Sequence, residues 1–392
     1  MTRDDVGNKV LNKTTDHLIL SIGTGIGKTK FSLDKTNQWF EKDCKTLIVV
    51  PKLILIKSWI TEIKKFGYVK LLSNITFSTY RSIPKQNTYW DICIFDEAHH
   101  LSERCRESVD SWSIKHSLWL SATFKRDIIQ YLYSKFKGIE TVSLRTNEAI
   151  NNNILPKPNI ILIPLYLDNT DKSILVPKNA KSKNSTCIID YESRWKVPKT
   201  IKNYQIRCTR YQAYILQSEK VEWYKKKAMT GIEAMKNLWL HSAGERLKWL
   251  AEQKVCYTKR IIDILGKRRI LTFCASIKQS EMFGNCVNSK EGTENLELFN
   301  KKKIDRITAV AILDEGANLN DCQIGLFNMI NSSELLTIQR IGRCLRHNNP
   351  IIIFPFFKNT REEEIVDKIV EDYDNNLITR LNSINEFNSM LL

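Results

Sequence analysis

Leu18–Ile22 is a largely apolar run that breaks into Gly23-Thr24-Gly25-Ile26-Gly27-Lys28-Thr29. Few patterns constrain a fold as tightly. A strand that enters a glycine-rich turn and leaves as a helix converges successive backbone N–H groups on one point, where phosphate oxygens fit. In that reading Gly23, Thr24, Gly25, Ile26 and Gly27 form the cradle. Lys28 sets a positive charge on the outer phosphates, and the Thr29 hydroxyl is a ligand for Mg²⁺. One position departs from the usual pattern: Ile22 stands where a small residue is common. The plain alternative is a glycine-rich turn with a chance Gly-Lys-Thr, and the strand ahead of it argues against that.

A second pattern reinforces the first. The run from Asp91 ends in Asp96-Glu97-Ala98-His99, an apolar strand closed by adjacent carboxylates. Phosphoryl transfer needs one carboxylate to hold the metal ion and one to orient and deprotonate the attacking water. Asp96 and Glu97 take these roles. Alone, such a pair would be a common helix cap.

At this point the motifs resemble those of superfamily-2 helicases. Asp96-Glu97-Ala98-His99 and Leu118-Trp119-Leu120-Ser121-Ala122-Thr123 are similar to motifs II and III, and Gln339-Arg340-Ile341-Gly342-Arg343-Cys344-Leu345-Arg346 is similar to motif VI. Val50-Pro51-Lys52 and the helical pattern through Trp59 resemble motif Ia of chromatin-remodeller-type ATPases and phage-type branch-migration helicases. Ala311–Leu319 resembles motif V, with Asn318 where Asp is more usual, and Phe273 sits where motif IV has an aromatic.

The resemblance implies an α/β fold of two tandem RecA-like domains, with ATP and Mg²⁺ between them. It implies catalytic roles for Lys28, Asp96, Glu97, Gln339, Arg343 and Arg346, with Gly316 at the nucleotide. Arg343 and Arg346, three apart on a helix, face one way and would act as arginine fingers. His99, Ser121 and Thr123 would couple hydrolysis to the nucleic-acid track, although Ser121 and Thr123 would also serve as helix caps. His100 reads as surface. Pro51, Lys52, the segment Ser78-Thr79-Tyr80-Arg81 and Gly316 are candidate phosphate contacts, with solvated strand-end loops as the alternative.

Charge shows where a track would lie. The chain has 392 residues, 60 basic against 43 acidic, for a formal net charge of +17. Residues 1–150 carry 23 basic and 16 acidic side chains, 151–260 carry 21 and 9, and 261–392 carry 16 and 18. The excess sits in the first and middle stretches and suits a nucleic-acid partner. In the middle, Lys225, Lys226 and Lys227 follow Trp223 and Tyr224, a mixture that suits stacking and phosphate contact. Packed aromatics beside solvated lysines would give the same pattern.

The texture of the chain divides it into a first α/β domain over 1–150, a basic connecting segment with a helical lead-in over 151–260, and a second α/β domain over 261–392. The apolar run Ile160–Leu167 falls within the connector. No apolar run reaches the ~20 residues that span a bilayer. The N-terminus carries no signal-peptide pattern, and ten scattered cysteines with no C-x-x-C pair suit a reducing, cytoplasmic setting. The reading is a DNA-preferring helicase or translocase, with branched or forked DNA among its expected substrates. An RNA helicase, a double-strand translocase or an ATP-switched binding scaffold are the alternatives.

Overall fold

The computed structural model describes residues 1–287, 294–310, 319, 321–331, 333–345 and 347–391. Its first unit is a parallel sheet of β1 (His17–Ile22), β2 (Thr46–Val50), β3 (Ile75–Thr79), β4 (Tyr89–Asp96), β5 (Ser113–Ser121) and β6 (Glu140–Leu144), ordered β3-β2-β4-β5-β1-β6. Both faces are covered. Leu18, Leu20, Ile48, Ile92 and Ile94 join one core, whereas Ile19, Leu47, Val49, Phe95 and Trp119 join the other. Strands buried on both faces read as continuous apolar runs rather than alternating ones, which is why these strands were legible from sequence. Phe95 stacks on Trp119 with ring centres 3.8 Å apart, directly behind the end of β4.

The chain then enters β7 (Asn159–Leu165). This strand was assigned to the connector, and the structure corrects that: β7 lies inside the second sheet, parallel to its neighbours on both sides. Its uninterrupted burial gives the reason, because a strand with seven residues and six buried side chains needs a sheet and cover on both faces. The connector proper is smaller. It holds β8 (Ile174–Pro177), β9 (Ile188–Asp190) and β10 (Gln205–Cys208), joined as a small sheet in the order β8-β10-β9. A helical hairpin follows, Arg210–Ala228 and Glu233–Gln253, its first helix capped by Thr209 through a capping box with Gln212.

The second unit adds β11 (Ile270–Phe273), β12 (Cys286–Val287), β13 (Arg306–Ala309), β14 (Ile324–Phe327), β15 (Ile351–Phe357) and β16 (Ile378–Arg380). Among the described residues its order is β12-β13-β11-β14-β15-β7-β16, with every pairing parallel. The glycine-rich turn and the Asp96-Glu97 pair lie at the carboxyl ends of β1 and β4, the usual place for ligands in such sheets. No helix among the described residues is long and apolar enough to cross a membrane.

Candidate nucleotide site

The glycine-rich turn runs from the end of β1 into the helix Lys28–Trp39. Gly25 and Gly27 have φ of 84° and 127°, backbone states that a side chain would strain. A Cβ on Gly23 would meet the Thr146 hydroxyl at 2.6 Å. The departure at Ile22 costs nothing: its side chain is buried, while its carbonyl accepts a 2.9 Å hydrogen bond from Lys28 Nζ. Thr24 Oγ1 is buried and has no hydrogen-bond partner among the described residues.

Asp96 and Glu97 close β4 beside this loop. Glu97 adopts the left-handed conformation, φ 51° and ψ 55°. That is an uncommon state for a side-chain-bearing residue, of the kind found where a site over-determines its geometry. Burial and the neighbouring Glu97 charge push the Asp96 carboxyl up. For Glu97 burial acts in the same sense, but Lys28, His99 and Arg343 outweigh it and hold the carboxyl down. Burial likewise lowers the Lys28 ammonium against the pull of both carboxylates.

His99 lies with Nδ1 2.9 Å from Ser121 Oγ and 3.4 Å from Glu97 Oε2. Ser121 gives its one proton to the Thr123 carbonyl at 2.5 Å, so Nδ1 of His99 carries the proton between them. The structure therefore joins Glu97, His99, Ser121 and Thr123 in one chain of contacts.

The second unit completes the site. Gly342, in the helix Glu334–Cys344, lies so close to the loop that a Cβ there would sit 2.8 Å from Thr24 Cβ. Arg343 is buried and adds its charge to Lys28, Asp96 and Glu97. Gln339 belongs to the same helix, its side chain outside the described set; Gly316, Asn318 and Arg346 also lie outside the described residues. Pro51 and Lys52 follow β2, Thr79 is the last residue of β3, and Arg81 lies just beyond it. Lys225, Lys226 and Lys227 stand apart on the helical hairpin, in the last turn of its first helix.

Two contacts escaped sequence reading. Trp59 Nε1 donates to Asp96 Oδ2 at 2.9 Å, and the Tyr80 hydroxyl donates to the Asp96 carbonyl at 2.8 Å. Tyr80 lies within a segment read as a candidate phosphate contact and Trp59 in the helix after another, but nothing in the sequence pointed either side chain at Asp96.

Residues 4–126 match the family described as "Type III restriction enzyme, res subunit". No curated protein sequence matches the chain. Among solved structures, S. cerevisiae Dbp5 bound to RNA and ADP BeF3 is similar at TM-score 0.60 and 12% identity, covering 100% of this chain and 92% of that one. The Pyrococcus furiosus Hef helicase domain is similar at TM-score 0.50 and 16% identity, covering 93% and 97%. The ATP-dependent Type ISP restriction-modification enzyme LlaBIII bound to DNA is similar at TM-score 0.56 and 12% identity, covering 100% of this chain but 32% of that one. At such identities the likeness speaks for the fold, two tandem RecA-like domains. The family match over residues 4–126 and this fold agree with the motif resemblance, and the described motif residues of the two units come together at one site.

Proposed function

We propose that the chain is a nucleic-acid-dependent ATPase that moves along or remodels DNA. One observation carries the reading: Arg343 from the second domain enters the cluster that the first domain builds from Lys28, Asp96 and Glu97. A site shared by two domains links what happens at a phosphate to whether the domains stay docked.

In this reading the backbone N–H groups of Gly23–Thr29 and the Lys28 ammonium hold the β- and γ-phosphates of ATP. Glu97, kept ionised by its cationic neighbours, orients the attacking water and takes its proton. Arg343 meets the charge that develops on the γ-phosphate, with Arg346 and Gln339 beside it and Gly316 at the nucleotide. The Thr29 hydroxyl and the Asp96 carboxylate are hard oxygen donors that suit Mg²⁺. Mg²⁺ held there would offset the negative charge of the phosphates. The orphaned Thr24 hydroxyl fits a ligand in the same cradle.

Pro51, Lys52, Thr79 and Arg81 are assigned to the nucleic-acid backbone, with His99, Ser121 and Thr123 relaying between that track and Glu97. Lys225, Lys226 and Lys227 add a second basic surface. DNA is preferred on the strength of the restriction-enzyme family match and the motif resemblance. Matched forked DNA and RNA duplexes test that choice. Stronger ATPase stimulation and strand displacement on DNA supports it, and the reverse order assigns the motor to RNA.

A further inference from the structure

The relay through His99 and Ser121 reaches Glu97. A different set of contacts reaches Asp96, and it starts at both candidate track segments. Immediately after Pro51 and Lys52 the chain forms the helix Ile54–Lys65. From that helix Trp59, almost fully buried, sends its indole N–H to Asp96 Oδ2 at 2.9 Å. Between Thr79 and Arg81 stands Tyr80, also buried, whose hydroxyl donates to the carbonyl of the same Asp96 at 2.8 Å. One segment thus grips the carboxylate and the other the backbone of a single residue.

Packing does not require this. Leu or Phe would fill the space under the helix, whereas Trp adds one directional donor, which must find a partner when buried. Its partner here is one oxygen of the Asp96 carboxylate, 2.9 Å away. A directional bond from a buried indole to one carboxylate oxygen fixes the aim of Asp96. A helix is stiff over this length, and displacement at Lys52 therefore carries to Trp59.

We infer that Trp59 is a positioning residue that makes the metal-holding carboxylate of Asp96 answer to nucleic acid bound at the Pro51–Lys52 segment, with Tyr80 as its counterpart from the Thr79–Arg81 segment. This rests on the proposed function above. It adds a route to the metal ligand that is separate from the His99–Ser121 relay to the base.

The test uses the full chain with Trp59→Phe, which removes the donor and keeps the ring. Mn²⁺ binding is read by electron paramagnetic resonance in the presence of ADP, and ATP turnover is read with and without nucleic acid. Loss of an outer-sphere partner of this kind weakens metal affinity about tenfold. The expected result is that weakening, together with a several-fold loss of stimulation at unchanged nucleic-acid affinity. A merely structural tryptophan would lower the melting temperature and leave Mn²⁺ affinity alone. Tyr80→Phe serves as the second variant if Trp59→Phe does not fold, with loss of stimulation expected and full stimulation overturning the inference. Wild-type Mn²⁺ affinity in a folded Trp59→Phe overturns it too. A wild-type protein that no nucleic acid stimulates would instead overturn the motor reading, and the Mn²⁺ measurement would still decide whether Trp59 positions Asp96.

Discussion

The two domains each set a lysine against carboxylates away from bulk water, and the two arrangements differ in what they leave over. In the second domain Lys254 Nζ lies 2.7 Å from Glu362 Oε1 and 3.1 Å from the Pro355 carbonyl, while Glu362 Oε2 accepts the Phe357 N–H at 3.1 Å. Both side chains are wholly enclosed. Burial raises the Glu362 carboxyl and lowers the Lys254 ammonium, and their mutual attraction opposes both shifts. In the first domain Lys28 makes a single short bond to Ile22, faces two carboxylates at a strand end, and shares the space with an arginine from the other domain. Thr24 Oγ1 beside it lacks a partner among the described residues. A sealed pair of this type is a fastening. Charges gathered with unfilled hydrogen-bonding capacity mark a place built for a ligand.

The largest effect expected from that contrast is catalytic. Arg343→Ala should slow ATP turnover by about 10³-fold or more, roughly 4 kcal/mol of barrier. The effect on its melting temperature should be the smaller one, because the role assigned to Arg343 is at the phosphate. Single-turnover kinetics beside a thermal melt check this, and a variant that unfolds with intact chemistry would make Arg343 a fastening as well. Glu97→Gln follows, with turnover down by about 10²–10⁴-fold and ATP retained on the protein. Loss of ATP affinity in place of turnover would remove Glu97 from the role of base.

The sealed pair should behave in the opposite way. Glu362→Ala leaves a buried ammonium unmatched and should cost about 3–5 kcal/mol in urea unfolding, whereas Lys254→Met combined with Glu362→Leu should be near neutral or stabilising. A mild single variant would contradict the contrast. The smallest effect belongs to the surface: reversing Lys225, Lys226 and Lys227 to Glu should flatten the salt dependence of DNA binding, each lost phosphate contact removing about 0.9 from the logarithmic slope. Glu222 lies 3.7 Å from Lys225, whereas Lys226 and Lys227 have no carboxylate partner among the described residues. Lys226 and Lys227 should therefore dominate. An unchanged slope would leave the cluster as solvated surface.

What the sequence made legible follows the same division. The glycine turn and the Asp96-Glu97 pair were visible because phosphate and metal chemistry demand particular residue types within a few positions of each other. β2 and β15 are continuous apolar runs in the sequence, since burial on both faces leaves an unbroken signature. β7 carried that signature too, but its partners β15 and β16 lie some two hundred residues away, and local reading placed it in the connector. The short strands β8, β9 and β10 had no such run: their side chains are mostly half-buried or exposed on a small sheet. Trp59 looked like one apolar position of an amphipathic helix. That its N–H meets Asp96 depends on the stacking of β2 beside β4, which no spacing along the chain encodes. The bond from Tyr80 to the Asp96 carbonyl was hidden for the same reason.

The central claim is that the cleft between the two domains hydrolyses ATP under the control of nucleic acid. The most direct measurement is steady-state ATPase activity of the wild-type chain and of Lys28→Ala on single-stranded, duplex, forked and four-way DNA, with RNA as control. The account predicts stimulation of the wild-type protein by DNA, strongest on one of these forms, and its loss in Lys28→Ala. Hydrolysis that no nucleic acid stimulates, or stimulated hydrolysis undiminished in Lys28→Ala, would contradict it.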